Sequence, residues 1–192
     1  MTTLLLNRLS DDEAATLVHH VASDVPMPSV ALRQIVDRAE GVPLFAEELT
    51  KAALESGLSA QDERSAPPVP ASLHDLLLAR LDRLGPAREV AQVGAVIGRE
   101  FSHELLGAVA GQPDPALERA LARIVRSELV FRAGTPPDAR YTFKHALVQQ
   151  AAYESLPRSR RSVLHAKIAE TLLKRNPTLA DSQLGMLAWH CE

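Results

Sequence analysis

The stretch Tyr141-Thr-Phe-Lys-His-Ala-Leu-Val-Gln-Gln-Ala-Ala-Tyr153 runs from a short strand directly into an amphipathic helix, and His145 lies at the junction. A second junction of this kind is Gly41-Val-Pro-Leu-Phe-Ala-Glu-Glu-Leu49, in which Pro43 lies where a helix starts. A helix N-terminus presents unpaired N–H groups and a partial positive charge, so each junction is a natural place to hold a phosphate. Together the two junctions indicate one side of a nucleotide site.

The other side of such a site is missing from the sequence. The chain has no Gly-x-x-x-x-Gly-Lys-Ser/Thr loop to cradle phosphates and no apolar strand that ends in paired acids to hold magnesium. We therefore expect no catalytic residue, and no ATP hydrolysis by this chain alone.

The residues on either side of the first junction predict a small domain at 71–157. Leu129-Val-Phe-Arg132 and Arg140-Tyr-Thr-Phe143 have the pattern of two strands around a turn rich in Gly and Pro. Before them, the pattern predicts a helix from about 87 to 97, a short helix capped by Ser102, and a helix that opens at Asp114-Pro115. Helix, short helix, helix and β-hairpin is the order of a winged helix-turn-helix.

The rest of the chain is predicted to be helical. Residues 1–57 form a three-helix unit, whose first helix begins with the capping box Ser10-Asp-Asp-Glu13. Residues 58–70 have no periodicity and contain three prolines, so they are the expected linker. Residues 158–192 contain two helical patterns with an open apolar face, which is typical of the first unit of a helical repeat array. The predicted fold class is mainly α with a small β-hairpin.

Composition favours an α-rich protein with an aliphatic core, because 46% of the residues are hydrophobic and only 4% are aromatic. The single Cys191 cannot form an internal disulfide, and no apolar run approaches the ~20 residues needed to cross a bilayer. We therefore expect a cytoplasmic protein without a membrane partner. Residues 86–165 carry 11 Lys/Arg against 8 Asp/Glu, too weak a positive balance for a strong DNA binder.

Each candidate residue also has a structural interpretation. His145 can be a strand-end histidine satisfied by local backbone, and Pro43 after Gly41 can simply be a helix stop followed by a helix start. The arginine cluster at 158–161 is most often a solvated helix end and less often a nucleic-acid contact. His19 and His20 point about 100° apart on a helix, so they do not share a metal easily. We predict no metal site.

At these two junctions the sequence resembles the STAND ATPases, a family of signal-transduction ATPases with numerous domains. It is most similar to large bacterial regulators that carry an ATPase core together with an adenylate-cyclase-type or DNA-binding output domain. Gly41-Val-Pro43 matches the family's Gly-x-Pro signature, whose proline packs on the adenine. Phe143-Lys-His145-Ala-Leu-Val148 matches the position of Met-His-Asp-Leu-Val in the plant and animal relatives, whose histidine contacts the β-phosphate of bound ADP. Here Lys144 replaces the methionine, and Ala146 replaces the aspartate that supports the histidine.

The resemblance covers nearly the whole chain and implies a helical lid, a winged helix and the start of tetratricopeptide-like repeats. It implies that Gly41, Pro43 and His145 contact ADP or ATP held by an ATPase core in the same protein or in a neighbouring chain. The chain is then a regulatory, non-catalytic fragment of a nucleotide switch, and it binds no nucleotide tightly alone.

Two other functions remain open from the sequence. A free-standing winged-helix transcription factor would read DNA with residues 115–127. This is disfavoured because the exposed face of that helix mixes arginines with Glu118 and Glu128 and has no Asn or Gln for base edges. A protein-interaction adaptor would instead use the C-terminal helices.

Overall fold

The computed structural model describes residues 7–23, 25–55 and 72–175, and the chain divides into two compact units, Met1–Leu76 and Leu77–Glu192. The described residues form nine helices and one three-stranded antiparallel sheet. The prediction of a mainly α protein with a small β-hairpin is confirmed. Two predicted features lie outside the described residues, namely the linker at 58–70 and the last helix.

Unit 1 is built on three helices: α1 (Asp11–Ala22), α2 (Ser29–Ala39) and α3 (Pro43–Glu55), each packed on the other two. The predicted capping box is confirmed. The Ser10 backbone N–H donates to the Glu13 carboxylate at 2.8 Å, and the Glu13 N–H donates to the Ser10 hydroxyl at 3.4 Å. The core is aliphatic, as the composition predicts, and consists of Val18, Ile35, Ala39, Ala46, Leu49, Ala53 and Leu76. Burial of this aliphatic surface is the main force that holds the unit together.

Unit 2 is arranged around one central helix. The division between the units falls within α4 (Leu73–Asp82), and α5 (Ala87–Ile97) follows it with eight of its eleven residues buried. The other helices are α6 (His103–Ala110), α7 (Asp114–Arg126), α8 (Ala146–Glu154) and α9 (Arg158–Arg175), and all four contact α5. Because the buried residues of α5 are themselves small or branched aliphatic ones, neighbouring helices can pack on it from several sides.

The sheet of unit 2 has the strand order β1-β3-β2, with β1 at Glu100–Ser102, β2 at Val130–Ala133 and β3 at Arg140–Phe143. The predicted hairpin is β2 and β3, with β2 displaced by one residue from its predicted bounds. Strand β1 was not predicted, because three residues are too few to show an alternating pattern. It is fixed by packing, since the Phe101 ring stacks on Tyr141 with centroids 5.6 Å apart.

A helical glycine makes room for this aromatic cluster. A Cβ atom added at Gly94 in α5 would lie 2.8 Å from the Phe101 ring, closer than side-chain carbons approach in proteins. Gly94 is therefore required by the contact between α5 and β1, although glycine weakens a helix interior by about 1 kcal/mol relative to alanine.

Two arginines join the ends of α4 and α7. Arg80 is buried, with 6% of the residue exposed, and its guanidinium donates to the Ser127 carbonyl at 2.6 Å, just beyond the C-terminus of α7. In the opposite direction, Arg123 of α7 donates to the Arg83 carbonyl at 2.7 Å, just beyond the end of α4. Each guanidinium satisfies a carbonyl that the helix itself leaves without a partner and places positive charge at the negative end of a helix dipole.

Candidate functional site at the start of helix α8

His145 occupies the N-cap position of α8, one residue after the Lys144 that follows β3. Its backbone is extended, with φ −134° and ψ 146°, and its carbonyl accepts hydrogen bonds from the N–H groups of Val148 and Gln149 at 3.1 and 3.4 Å. This is the backbone geometry of an N-cap residue, but the His145 side chain makes no capping hydrogen bond. The helix therefore begins without the side-chain acceptor that usually satisfies its first N–H groups.

The imidazole of His145 holds a polar atom that lacks a partner. The residue is half-buried, its Nε2 atom is buried, and Nε2 has no hydrogen-bond partner among the residues that the structure describes. A buried polar atom without a partner costs about 1–3 kcal/mol, so such atoms are uncommon in folded proteins. The structural interpretation of His145, a histidine satisfied by local backbone, does not account for this atom.

Two other buried side-chain nitrogens in the described residues lack a hydrogen bond, the Nε atoms of Arg88 and Arg161. Each belongs to a guanidinium group with another contact. Arg88 pairs with Asp82, and the Arg161 guanidinium lies 4.9 Å above the centre of the Tyr153 ring. His145 differs from both, because none of the contacts described for the chain involves its ring.

The scaffold beneath His145 is well anchored in unit 2. The Gln149 side-chain amide donates to the Ala95 carbonyl of α5 at 3.0 Å, while Val148, Ala151 and Ala152 of α8 are buried. On the other side, the Lys144 N–H donates to the Leu129 carbonyl at 3.0 Å. Because both flanking segments are fixed, the backbone that carries the imidazole is held in place before any ligand arrives.

The charges around this helix start favour an anion. Helix α8 has no acidic residue in its first turn, and Lys144 precedes His145 directly. The helix dipole adds partial positive charge at the same end. The first turn also presents Leu147, which is 45% exposed.

Gly41 has a structural role that the sequence alone does not show. It adopts the left-handed region at φ +71°, its carbonyl accepts the Leu9 N–H at 2.8 Å, and an added Cβ would lie 2.4 Å from the Leu9 oxygen. Any other residue would strain the backbone and clash with the segment that enters α1. The close approach of Leu9 therefore explains this glycine without a ligand.

Pro43 is the first residue of α3 and is exposed, so its ring is accessible to a planar partner. The predicted helix start at this residue is confirmed. Helix geometry alone accounts for a proline at this position, since the N–H group of the first helical residue has no partner within the helix. Gly41 and Pro43 belong to unit 1, whereas His145 belongs to unit 2. The two strand–helix junctions singled out in the sequence therefore lie in different units.

One side-chain cluster at the junction of α8 and α9 was not predicted. The Tyr153 hydroxyl lies 3.1 Å from the His165 Nε2 atom. The Arg161 guanidinium lies over the Tyr153 ring. Burial, and secondarily the charge of Arg161, lowers the pKa of His165. Within the arginine cluster at 158–161, Arg160 also pairs with Glu89, so two of its three side chains are held by the fold. Only the spacing of Arg161 and His165 along one helix face could have suggested part of this cluster.

In the part of the chain that the structure describes, no group of three or more His, Cys, Asp or Glu side chains is placed to hold a metal ion. The adjacent His19 and His20 are both exposed on α1, and Cys191 lies outside the described residues. None of the described helices is both long and apolar enough to cross a membrane.

Comparison with known proteins gives one informative similarity. No protein-family model matches the chain. The chain is 32% identical over 158 residues to a protein of Rhizobium meliloti (strain 1021) that is described as uncharacterized. The match covers 79% of this chain but 15% of that protein, so the chain spans a small part of the relative's length.

Proposed function

We propose that this chain is the regulatory, non-catalytic part of an ATP/ADP-dependent signalling switch, and that His145 binds a phosphate of the nucleotide. The observation that carries the proposal is the buried Nε2 atom of His145, which has no partner among the described residues and lies at an uncapped helix N-terminus. A phosphate oxygen would satisfy both the imidazole and the free N–H groups of the first turn of α8.

The topology of unit 2 supports a winged helix as the carrier of this histidine. The order α5, β1, α6, α7, β2, β3, with β1 paired to β3, places a β-hairpin after three helices. In this proposal, unit 1 is the lid, Pro43 packs on the adenine through its exposed ring, and the phosphate-binding loop comes from an ATPase core. Gly41 forms the tight backbone turn before α3 that sets the place of Pro43 in the site.

The switch would work by differential contacts. ADP held by the core would bridge to His145 and favour the closed state, while exchange for ATP would release unit 2. Ala146 stands where an acidic residue would orient the imidazole, so in this proposal the ring depends on the backbone anchored through Gln149 and Lys144 and on the phosphate itself. The similarity to one segment of a much longer relative is compatible with a role inside a larger protein.

The test joins this chain to a nucleotide-binding core and measures the ADP that remains after purification. His145→Ala removes one hydrogen bond to a charged group, worth about 1.5–3 kcal/mol, so ADP should bind roughly 10- to 150-fold more weakly. The matched control is His103→Ala, because the His103 ring already lies 3.4 Å from the Tyr141 hydroxyl. Equal ADP retention in both variants would return His145 to a structural role.

The DNA-reading alternative loses support from the structure. Arg123, a central cation on the helix that would enter a groove, is exposed but donates to the Arg83 carbonyl, which limits the directions in which its guanidinium can reach. Among the cations of the hairpin, Arg140 pairs with Glu100 at 3.1 Å. On α7 and the hairpin, the exposed arginines without a described acidic partner are fewer than the roughly 6–10 phosphate contacts that duplex-binding proteins make, and such contacts dominate their affinity.

A further inference from the structure

The outward face of α7 carries a row of three exposed arginines, Arg119, Arg123 and Arg126, here called the α7 arginine stripe. They occupy positions i, i+4 and i+7, so their side chains leave the helix within an arc of about 60°. The opposite face of α7 buries Leu117, Leu121 and Ile124, and the helix packs on α5 and β2. The stripe thus faces solvent while the helix that carries it is fixed.

The charge of the stripe is not compensated by the fold. Arg119 and Arg126 make no hydrogen bond or ion pair with any residue that the structure describes, and the one described bond of Arg123 is to a neutral carbonyl. Other arginines of unit 2 have acidic partners, as Arg160 has Glu89 and Arg140 has Glu100. The stripe is therefore a patch of positive charge without its own counter-charge.

Glu118, the acid that follows α7's first turn, does not neutralise the stripe. Glu118 is exposed, and no described hydrogen bond or ion pair joins it to Arg119, Arg123 or Arg126. On the helix it lies about 100° from Arg119. Glu128, the other acid noted in the sequence, lies beyond the end of α7 at Arg126, so neither acid lies within the arc of the three arginines on this helix.

We propose that the α7 arginine stripe docks an acidic helical segment of a partner protein. Successive arginines are separated by about 6 and 4.5 Å along the helix axis, the spacing of carboxylates at i, i+4 and i+7 on a second helix. Guanidinium groups pair with carboxylates through two parallel hydrogen bonds. A nucleic acid fits less well, because the stripe offers three cations over about 10 Å, whereas duplex binders neutralise roughly 6–10 phosphates.

The probe is a synthetic alanine-based helical peptide with Glu at positions i, i+4 and i+7, compared with the same peptide carrying Gln. Binding to the whole chain is followed by fluorescence anisotropy of the labelled peptide. We expect the Glu peptide to bind more tightly than the Gln peptide, and its binding to weaken as salt is raised, because exposed ion pairs are screened beyond about 10 Å at 0.1 M salt.

The decisive variant is Arg119→Glu with Arg126→Glu. It should weaken binding of the Glu peptide by about tenfold or more, since two exposed pairs are lost and replaced by repulsion. The control, Arg99→Glu with Arg158→Glu, makes the same change in net charge at exposed sites off the stripe, and should shift binding by about twofold or less. Arg119→Gln with Arg126→Gln keeps the helical propensity of α7 and should show a smaller loss in the same direction.

Equal binding of the two peptides, or equal losses in the stripe and control variants, would overturn the proposal. Tighter binding of a single-stranded DNA oligonucleotide than of the Glu peptide, abolished by the stripe variant, would also overturn it and assign the stripe to nucleic acid. Neither result bears on the retention of ADP by His145, which is measured separately.

Discussion

Replacing His145 by Asn should make the protein more stable while removing the imidazole proposed to bind phosphate. Position 145 already has the extended backbone of an N-cap, yet its histidine supplies no capping hydrogen bond. Asn is among the best N-cap residues, because its side-chain oxygen accepts an N–H of the first turn. The same substitution removes the buried Nε2 atom that lacks a partner.

The expected gain is about 1 kcal/mol. A good N-cap contributes about 0.5–2 kcal/mol relative to Ala, and removal of an unsatisfied buried atom recovers part of its cost of about 1–3 kcal/mol. Loss of the packing of the half-buried ring opposes both gains. A net gain of about 1 kcal/mol corresponds to a rise in melting temperature of several degrees for a unit of this size.

Urea unfolding followed by tyrosine fluorescence measures this effect, because both tyrosines of the chain, Tyr141 and Tyr153, lie in unit 2. His145→Ala is the matched control, since it removes the ring without supplying a cap, and it should be less stable than the Asn variant. A loss of about 1 kcal/mol or more in His145→Asn would show that the histidine supports the fold, and would refute the argument that it is kept for a ligand.

Three further outcomes follow from the packing and titration of other residues. Gly41→Ala should destabilise unit 1 by about 1–3 kcal/mol, because residue 41 has φ +71° and an added Cβ would lie 2.4 Å from the Leu9 backbone oxygen. Unfolding followed by far-UV circular dichroism measures the loss, and unchanged stability would contradict the described turn. Gly94→Ala should destabilise unit 2 by about 1–3 kcal/mol through overpacking against Phe101, and a gain in stability from the higher helix propensity of Ala would argue against that contact. The pKa of His165 is held below its ordinary 6.5 by burial and by Arg161, so the unfolded chain binds a proton there more readily than the folded chain. The free energy of unfolding should therefore fall as the pH drops below 6.5, and His165→Gln should flatten that part of the pH–stability curve. A pKa of His165 above 6.5, measured by NMR, would reverse the sign.

The sequence predicted those elements that local patterns determine. The capping box at Ser10, the Ser102 cap of α6 and the helix start at Pro43 depend on neighbours within one turn, and the structure confirms each. Strand β1 and the Arg80 bond to Ser127 depend on residues far apart in the chain, so no local pattern indicates them. Hydrophobic periodicity indicates secondary structure, whereas a contact between residues far apart in the chain leaves no such periodic signal.

The candidate site shows the same limit. His145 was selected from its place at a strand–helix junction, and the structure confirms that place. That its Nε2 atom is buried without a partner is a property of the packed unit and is invisible in the sequence. Conversely, Gly41 was grouped with the ligand contacts, whereas the approach of Leu9 to its backbone supplies a sufficient structural reason.

The most direct test of a phosphate-binding role for His145 is an NMR titration of the chain with pyrophosphate at constant pH, following the ring resonances of each histidine. We predict that the resonances of His145 shift saturably at millimolar pyrophosphate, since an isolated imidazole and one helix N-terminus bind an anion weakly. Those of His103, whose ring lies beside the Tyr141 hydroxyl, should stay in place. Unchanged His145 resonances, or equal shifts of all the histidines, would contradict the assignment of His145 as the phosphate-binding residue.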